Sequence, residues 1–169
     1  DAPHRFAGRF AADGSPEYLR YFGGSHNDYG RGIGVDDAGH AYITGMTRSN
    51  DTPTGPNPLQ GSPQGPDTQT GGTGDAFIAS FDDIGQRTYS TYLGGPDFDG
   101  GESIAVGPDG MVYATGWSPG INGSTVNGFD YGDISSTEAF LWKFDFSNVS
   151  SVTVDSSPPL PGPAVEPAI

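Results

Sequence analysis

The chain is predicted to be all-β, built from antiparallel units of about four short strands that repeat along it. Three observations carry this. YLRYFGGSHNDYGRGIGVDDAGHAYITGMT, residues 18–47, returns as YSTYLGGPDFDGGESIAVGPDGMVYATGWS, residues 89–118. The copies align at an offset of 71 residues, without a gap from Phe6 to Ser118. Short runs of aromatic and β-branched residues alternate with Gly and Asp turns, and no segment has a convincing helical period.

In chain order, Phe6 to Ala11 and Tyr18 to Phe22 read as two strands closing one unit. GIGV (Gly32–Val35) and AYITGMT (Ala41–Thr47) open the next, joined by DDAG, whose Gly39 is expected at positive φ. DAFIASFD (Asp75–Asp82) has apolar residues at alternate positions, and TYSTYLGG completes that unit. SIAV, the GPDG turn with Gly110, and VYATGWS then repeat the pattern. EAFLWKFD (Glu138–Asp145) repeats DAFIASFD at an offset of 63, and NVSSVTV follows.

Repeated four-stranded antiparallel units are the pattern of propeller blades. YSTYLGG, IAV with its following DG turn, YATG and DAFIASF resemble the SBBP-type β-propeller repeats, over Phe6 to Asp145. DTPTGPNPLQ, residues 51–60, is similar to that family's linker. The resemblance implies antiparallel β-propeller-like blades. It implies little about function, because propellers host many activities. The expected organisation is a repeat domain at 1–155, with units near 1–24, 25–95 and 96–155, and a Pro-rich tail at 156–169. Two and a half units form an incomplete propeller, since closed rings use about four to eight blades.

The chain carries a formal charge of −14, and Lys143 is its one lysine. Nucleic acid and anionic membrane surfaces are therefore expected not to be partners, and membrane insertion is not expected. No cysteine is present, which removes disulfides and thiol chemistry. No nucleophile elbow, P-loop, dinucleotide fingerprint or zinc-protease motif occurs, so no enzyme activity and no catalytic residue is expected. His4, His26 and His40 are scattered, and the last two have Asp97 and Met111 at the equivalent positions.

The acidic constellation is Asp28, Asp97 and Asp99, in the loops that follow the two GG pairs. Such Asp- and Gly-rich loops can supply the oxygen ligands calcium takes, which makes calcium the candidate cofactor. The competing and favoured reading is that Asp28 and Asp99 cap turns through nearby backbone amides. Asn50, Asn122 and Asn148 stand in Asn-X-Ser/Thr sequons and are glycosylation candidates. Residues 48–74 read as a polar Pro/Gly-rich loop, either solvated or a contact surface.

The sequence favours a non-enzymatic extracellular or cell-surface protein, structural or adhesive, whose partner is itself. Incomplete blades leave bare edges, expected near Phe6, Phe10, Tyr18 and Tyr21 at one end and near Phe140, Phe144 and Val152 at the other. These surfaces differ, so copies would join head to tail into a filament or ring. The alternative is a carbohydrate- or protein-binding propeller module cut from a larger secreted protein, with Trp117, Trp142 and Tyr131 as the aromatics for a glycan or another surface protein. Trp142 alternates with Phe140 and Phe144, which also suits a core position.

Overall fold

A computed structural model describes residues 5–63, 74–95, 97–119, 138–148 and 152–154. Ten strands follow in order: β1 (Arg5–Phe10), β2 (Pro16–Phe22), β3 (Asp28–Val35), β4 (Ala41–Thr47), β5 (Asp75–Phe81), β6 (Arg87–Leu93), β7 (Gly100–Val106), β8 (Val112–Ser118), β9 (Glu138–Asp145) and β10 (Thr153–Val154). There is no helix among the described residues. The strands form three antiparallel sheets, β1-β2, β3-β4-β5-β6 and β7-β8-β9-β10, and none closes on itself. This is an incomplete β-propeller-like fold.

The repeat is carried into backbone detail. Four hairpin turns share one hydrogen-bond pattern. In each, the first residue (Ala11, Asp36, Asp82, Gly107) donates to the carbonyl of the fifth, and a glycine at the fourth donates back to the first. Those glycines, Gly14, Gly39, Gly85 and Gly110, have φ of 84, 86, 77 and 77°. A three-residue hairpin loop ends in that left-handed conformation, which glycine adopts without Cβ strain. Register breaks recur at the same places: between Gly30 and Gly32 in β3 and between Gly101 and Ser103 in β7. The break at Arg9/Phe10 in β1 likewise recurs at Ser80/Phe81 in β5.

The sheets stack, and the β3–β6 sheet is the middle layer. On one face Phe77, Ala79, Phe81 and Ala41 enclose Phe22 of β2. Phe22 lies 5.1 Å from the Phe77 ring and 6.2 Å, edge-on, from Phe81. On the other face Tyr42, Ala76, Ile78, Tyr89 and Leu93 meet Ile104, Val112, Ala114, Phe140, Trp142 and Phe144 of the third sheet, and Phe146 just after β9. Full burial of such side chains stabilises by about 1.5–3 kcal/mol each. Two-sided packing explains why β5 departs from the alternation expected for DAFIASF: all seven of its residues are buried. Its even and odd positions serve two different cores.

Glycine sets how closely the sheets approach. An added Cβ on Gly32 would lie 2.8 Å from the Ser103 Cα and 2.9 Å from the Ile104 nitrogen, so β3 and β7 touch backbone to backbone. Arg31 donates to Glu102 across this contact, and the Trp117 Nε1 donates to the same Glu102 oxygen at 2.8 Å. The Arg31 bond, then the Trp117 bond, hold the Glu102 carboxyl below its usual range against its partial burial.

The loop after β4 is more than a solvated connection in its described part, 48–63. Gly55 donates to the Ser90 carbonyl at 2.8 Å, and Tyr92 donates to the Gln60 carbonyl at 3.2 Å. Gln60 N–H also donates to Thr91 Oγ1, and Leu59 N–H to the Tyr89 hydroxyl. The segment thus runs beside β6 and covers the outer edge of the middle sheet, where bare backbone would otherwise invite pairing.

Candidate assembly faces and crossover clasps

Each passage from one sheet to the next is held by a buried aspartate. The chain leaves β2 through Gly23-Gly24 and enters β3 at Asp28. It leaves β6 through Gly94-Gly95 and reaches β7 just after Asp99. Asp28 and Asp99 are 1% and 0% exposed. Asp28 Oδ2 accepts from the Gly24 amide at 2.8 Å, and Asp99 Oδ2 accepts from the Gly95 amide at the same distance. Around Asp28 the end of β4 closes the clasp: Thr47 Oγ1 donates to Oδ1 and Ser49 Oγ to Oδ2 at 3.2 Å. Ser118, one repeat on from Thr47, acts on the Asp99 carboxyl, yet Asp99 Oδ1, unlike Asp28 Oδ1, has no hydrogen-bond partner among the described residues. Burial pushes the Asp99 carboxyl up to about 6, the Ser118 and Gly95 hydrogen bonds oppose the rise, and the nearby Asp97 charge adds to it.

Further bonds bind the crossover to the loop after β4. Asp51 Oδ1 accepts from the Ser25 amide at 2.8 Å, and Ser49 Oγ accepts from the His26 amide at 2.9 Å. The Tyr92 hydroxyl donates to the Ser49 carbonyl and accepts from the Thr52 amide, both at 2.8 Å. Sequence reasoning found the two aspartates and missed Thr47, Ser49, Thr52 and Tyr92. The pairing of Thr47 with Ser118 at the repeat offset was the available signal.

Asp28 therefore sits in the first crossover, with Asp97 and Asp99 in the second, and Asp97 is exposed while Asp99 is buried. Among the described residues no group of three or more His, Cys, Asp or Glu side chains is placed to hold a metal ion. Asn50 and Asn148 are exposed, and Asn122 lies outside the described residues. Trp142 is core: it stacks on Phe140 at 4.4 Å and meets Phe144 edge-on at 6.3 Å. Trp117 is half-buried, 5.0 Å from Phe98, whose ring also lies under Arg48. Tyr131 lies outside the described residues.

The two outer faces of the stack use residues only partly as expected. At the β1-β2 end Phe10 and Tyr21 are exposed, joined by Leu19, while Tyr18 is buried. Phe6 pairs with Tyr21 in register, and its side chain lies outside the described set. At the β7–β10 end Phe140, Phe144 and Val152 belong to the core between the second and third sheets. The outward position there is Leu141, flanked by exposed Ala139 and Thr115. The repeat shows what each face lacks. Phe10 is 55% exposed where Phe81, 71 residues on, is 2% exposed; Leu141 is 50% exposed where Ile78, 63 residues earlier, is fully buried. Residues that an adjacent sheet covers inside the stack stand open at its ends.

Among known protein families, residues 17–51 match the SBBP beta-propeller repeat. That span starts in β2, passes the Asp28 clasp and ends in the Ser49–Asp51 segment, so one sequence repeat crosses two sheets. No curated protein matches the chain.

Proposed function

We propose, for a chain carrying the SBBP beta-propeller repeat at residues 17–51, a non-enzymatic structural or adhesive role outside the cell or at its surface, exercised by copies joined head to tail. The single observation that supports it is the mismatch in burial between equivalent residues. Phe10 and Leu141 stand exposed where their counterparts Phe81 and Ile78 are covered by a neighbouring sheet. The two faces are unlike, one from β1-β2 and one from β8-β9. Contact between them is therefore heterologous, closing into a ring or continuing as a filament according to the rotation between copies. The surplus of acidic groups keeps such copies soluble until the apolar faces meet, and salt strengthens the contact by screening their repulsion. Sedimentation velocity over a wide concentration range tests this. The expected result is a mass that climbs in whole multiples of the 17.5 kDa chain. A chain that stays monomeric at the highest concentration contradicts it.

A second reading rests on the half-buried Trp117 beside Phe98, with Arg48 and Glu102 at hand. Aromatic faces edged by charged hydrogen-bonding groups suit a carbohydrate ligand. In that case a monomer that binds a glycan, and loses it on Trp117→Ala, is the expected behaviour.

A further inference from the structure

Departures from the repeat converge where the middle sheet meets the third. At the 71-residue offset Phe98 replaces Asn27, Gly100 replaces Tyr29, Glu102 replaces Arg31 and Trp117 replaces Met46, while Arg48 has Pro119 as its own counterpart. Equivalent positions meet equivalent packing demands, and the first unit satisfies them with a different set of side chains. A break in an otherwise consistent pattern marks function rather than fold. Burial agrees: Met46 is 4% exposed, whereas Trp117 in its place is half-buried. The larger ring stands at the more open position, the reverse of what a core selects. Gly100 makes the room for it. A Cβ there would lie 2.8 Å from Trp117 Cε2 and 2.9 Å from its Nε1.

The substituted residues touch one another. The Arg48 guanidinium carbon lies 5.8 Å from the centre of the Phe98 ring, and Phe98 lies 5.0 Å from Trp117. The Trp117 indole and Arg31 both donate to Glu102 Oε1, which leaves Oε2 without a hydrogen-bond partner among the described residues. Arg48 is exposed, and its guanidinium makes no hydrogen bond or ion pair among the described residues. The same holds for the exposed carboxylate of Asp97, next in the chain to Phe98. An aromatic platform is thus bordered by unengaged donors on Arg48 and unengaged acceptors on Asp97 and Glu102.

Charge decides the ligand class. An anionic sugar meets Asp97, Glu102 and a chain of net charge −14, and a cationic one meets Arg48 and Arg31. A neutral pyranose meets neither repulsion. Each of its hydroxyls can donate to a carboxylate or accept from a guanidinium, and its C–H bonds suit the electron-rich face of an indole. Building on the carbohydrate reading of Trp117, we propose that this junction binds a neutral pyranose. Trp117 is the stacking platform, Arg48 donates to the sugar hydroxyls, and Asp97 and Glu102 accept from them.

The test titrates the full chain by calorimetry with neutral hexasaccharides of glucose and of mannose, with hexagalacturonate and with a chitosan hexamer. Trp117 emission gives a second readout, since Trp142 is in the core. A neutral hexasaccharide should bind with little dependence on salt, and both charged hexamers should bind more weakly. Arg48→Ala and Asp97→Ala, at exposed positions, should each weaken the neutral sugar about tenfold, the scale of one hydrogen bond to a charged group, with the circular dichroism unchanged. A charged hexamer that binds as tightly as the neutral ones overturns the ligand class and keeps the carbohydrate reading. Neutral binding that neither variant weakens overturns the site and keeps that reading. No binding by any of the sugars removes the carbohydrate reading and the proposal with it.

Discussion

Gly14 and Gly85 hold the same turn position one repeat apart, with φ of 84 and 77°. An alanine in that conformation costs about 1–2 kcal/mol from its own Cβ. Nothing lies within 4 Å of a Cβ on Gly14, whereas a Cβ on Gly85 would reach the Tyr18 ring at 2.5 Å. Gly14→Ala should therefore lower the unfolding free energy by about 1 kcal/mol, and Gly85→Ala by at least twice as much, in urea titrations. Equal losses would mean that Tyr18 does not seal the first sheet onto the second. Asp99 makes a second prediction. Its carboxyl titrates near 6 in the fold and near 3.8 unfolded, so the fold holds the extra proton between those values. The contribution is full below pH 4 and lost as pH rises through 6. Asp99→Asn keeps the acceptor for Gly95 and has no charge to bury. Its melting temperature relative to the parent should rise between pH 4.5 and 7.5; a constant difference would show that Asp99 is not buried as a carboxyl.

Among the elements, the crossovers matter most, because they fix one sheet on the next. Asp28→Ala leaves the Gly24 amide and the Thr47 and Ser49 hydroxyls without their acceptor, a loss of about 2–3 kcal/mol. Asp97→Ala, at an exposed site, should stay within about 0.5 kcal/mol. Denaturant midpoints that fall equally for both would reject the clasp. The strands and their glycine turns were legible in the sequence, since a 71-residue self-match demands like environments for like residues. Facing was not. DAFIASF has the look of a one-sided strand, yet Ala76 and Ile78 are small enough and apolar enough to pack a second sheet. Phe140 and Phe144 were read as an open end, but they point back to the middle layer, leaving Leu141 outward. Residues 53–60 cover β6 with their own backbone groups, which meet β6 backbone and the Tyr89, Ser90 and Thr91 side chains, so the covering segment carries no side-chain pattern of its own to read. Leu19 escaped notice because its counterpart, Ser90, is polar.

At the scale of the whole molecule, the described strands stack as quasi-equivalent sheets, and the proposal is that the two ends of the stack meet head to tail. Phe10 on one end and Leu141 on the other are the exposed counterparts of buried residues, and neither contributes to the internal cores. Replacing either by arginine should leave the monomer folded and block one end only. The most direct test mixes the two. Phe10→Arg chains keep a working β7–β10 face, and Leu141→Arg chains keep a working β1-β2 face. Each variant alone should sediment as a monomer, and an equimolar mixture should give a species of two chains and nothing larger. A mixture that remains monomeric while the parent assembles, or single variants that still polymerise, would contradict head-to-tail stacking through these faces.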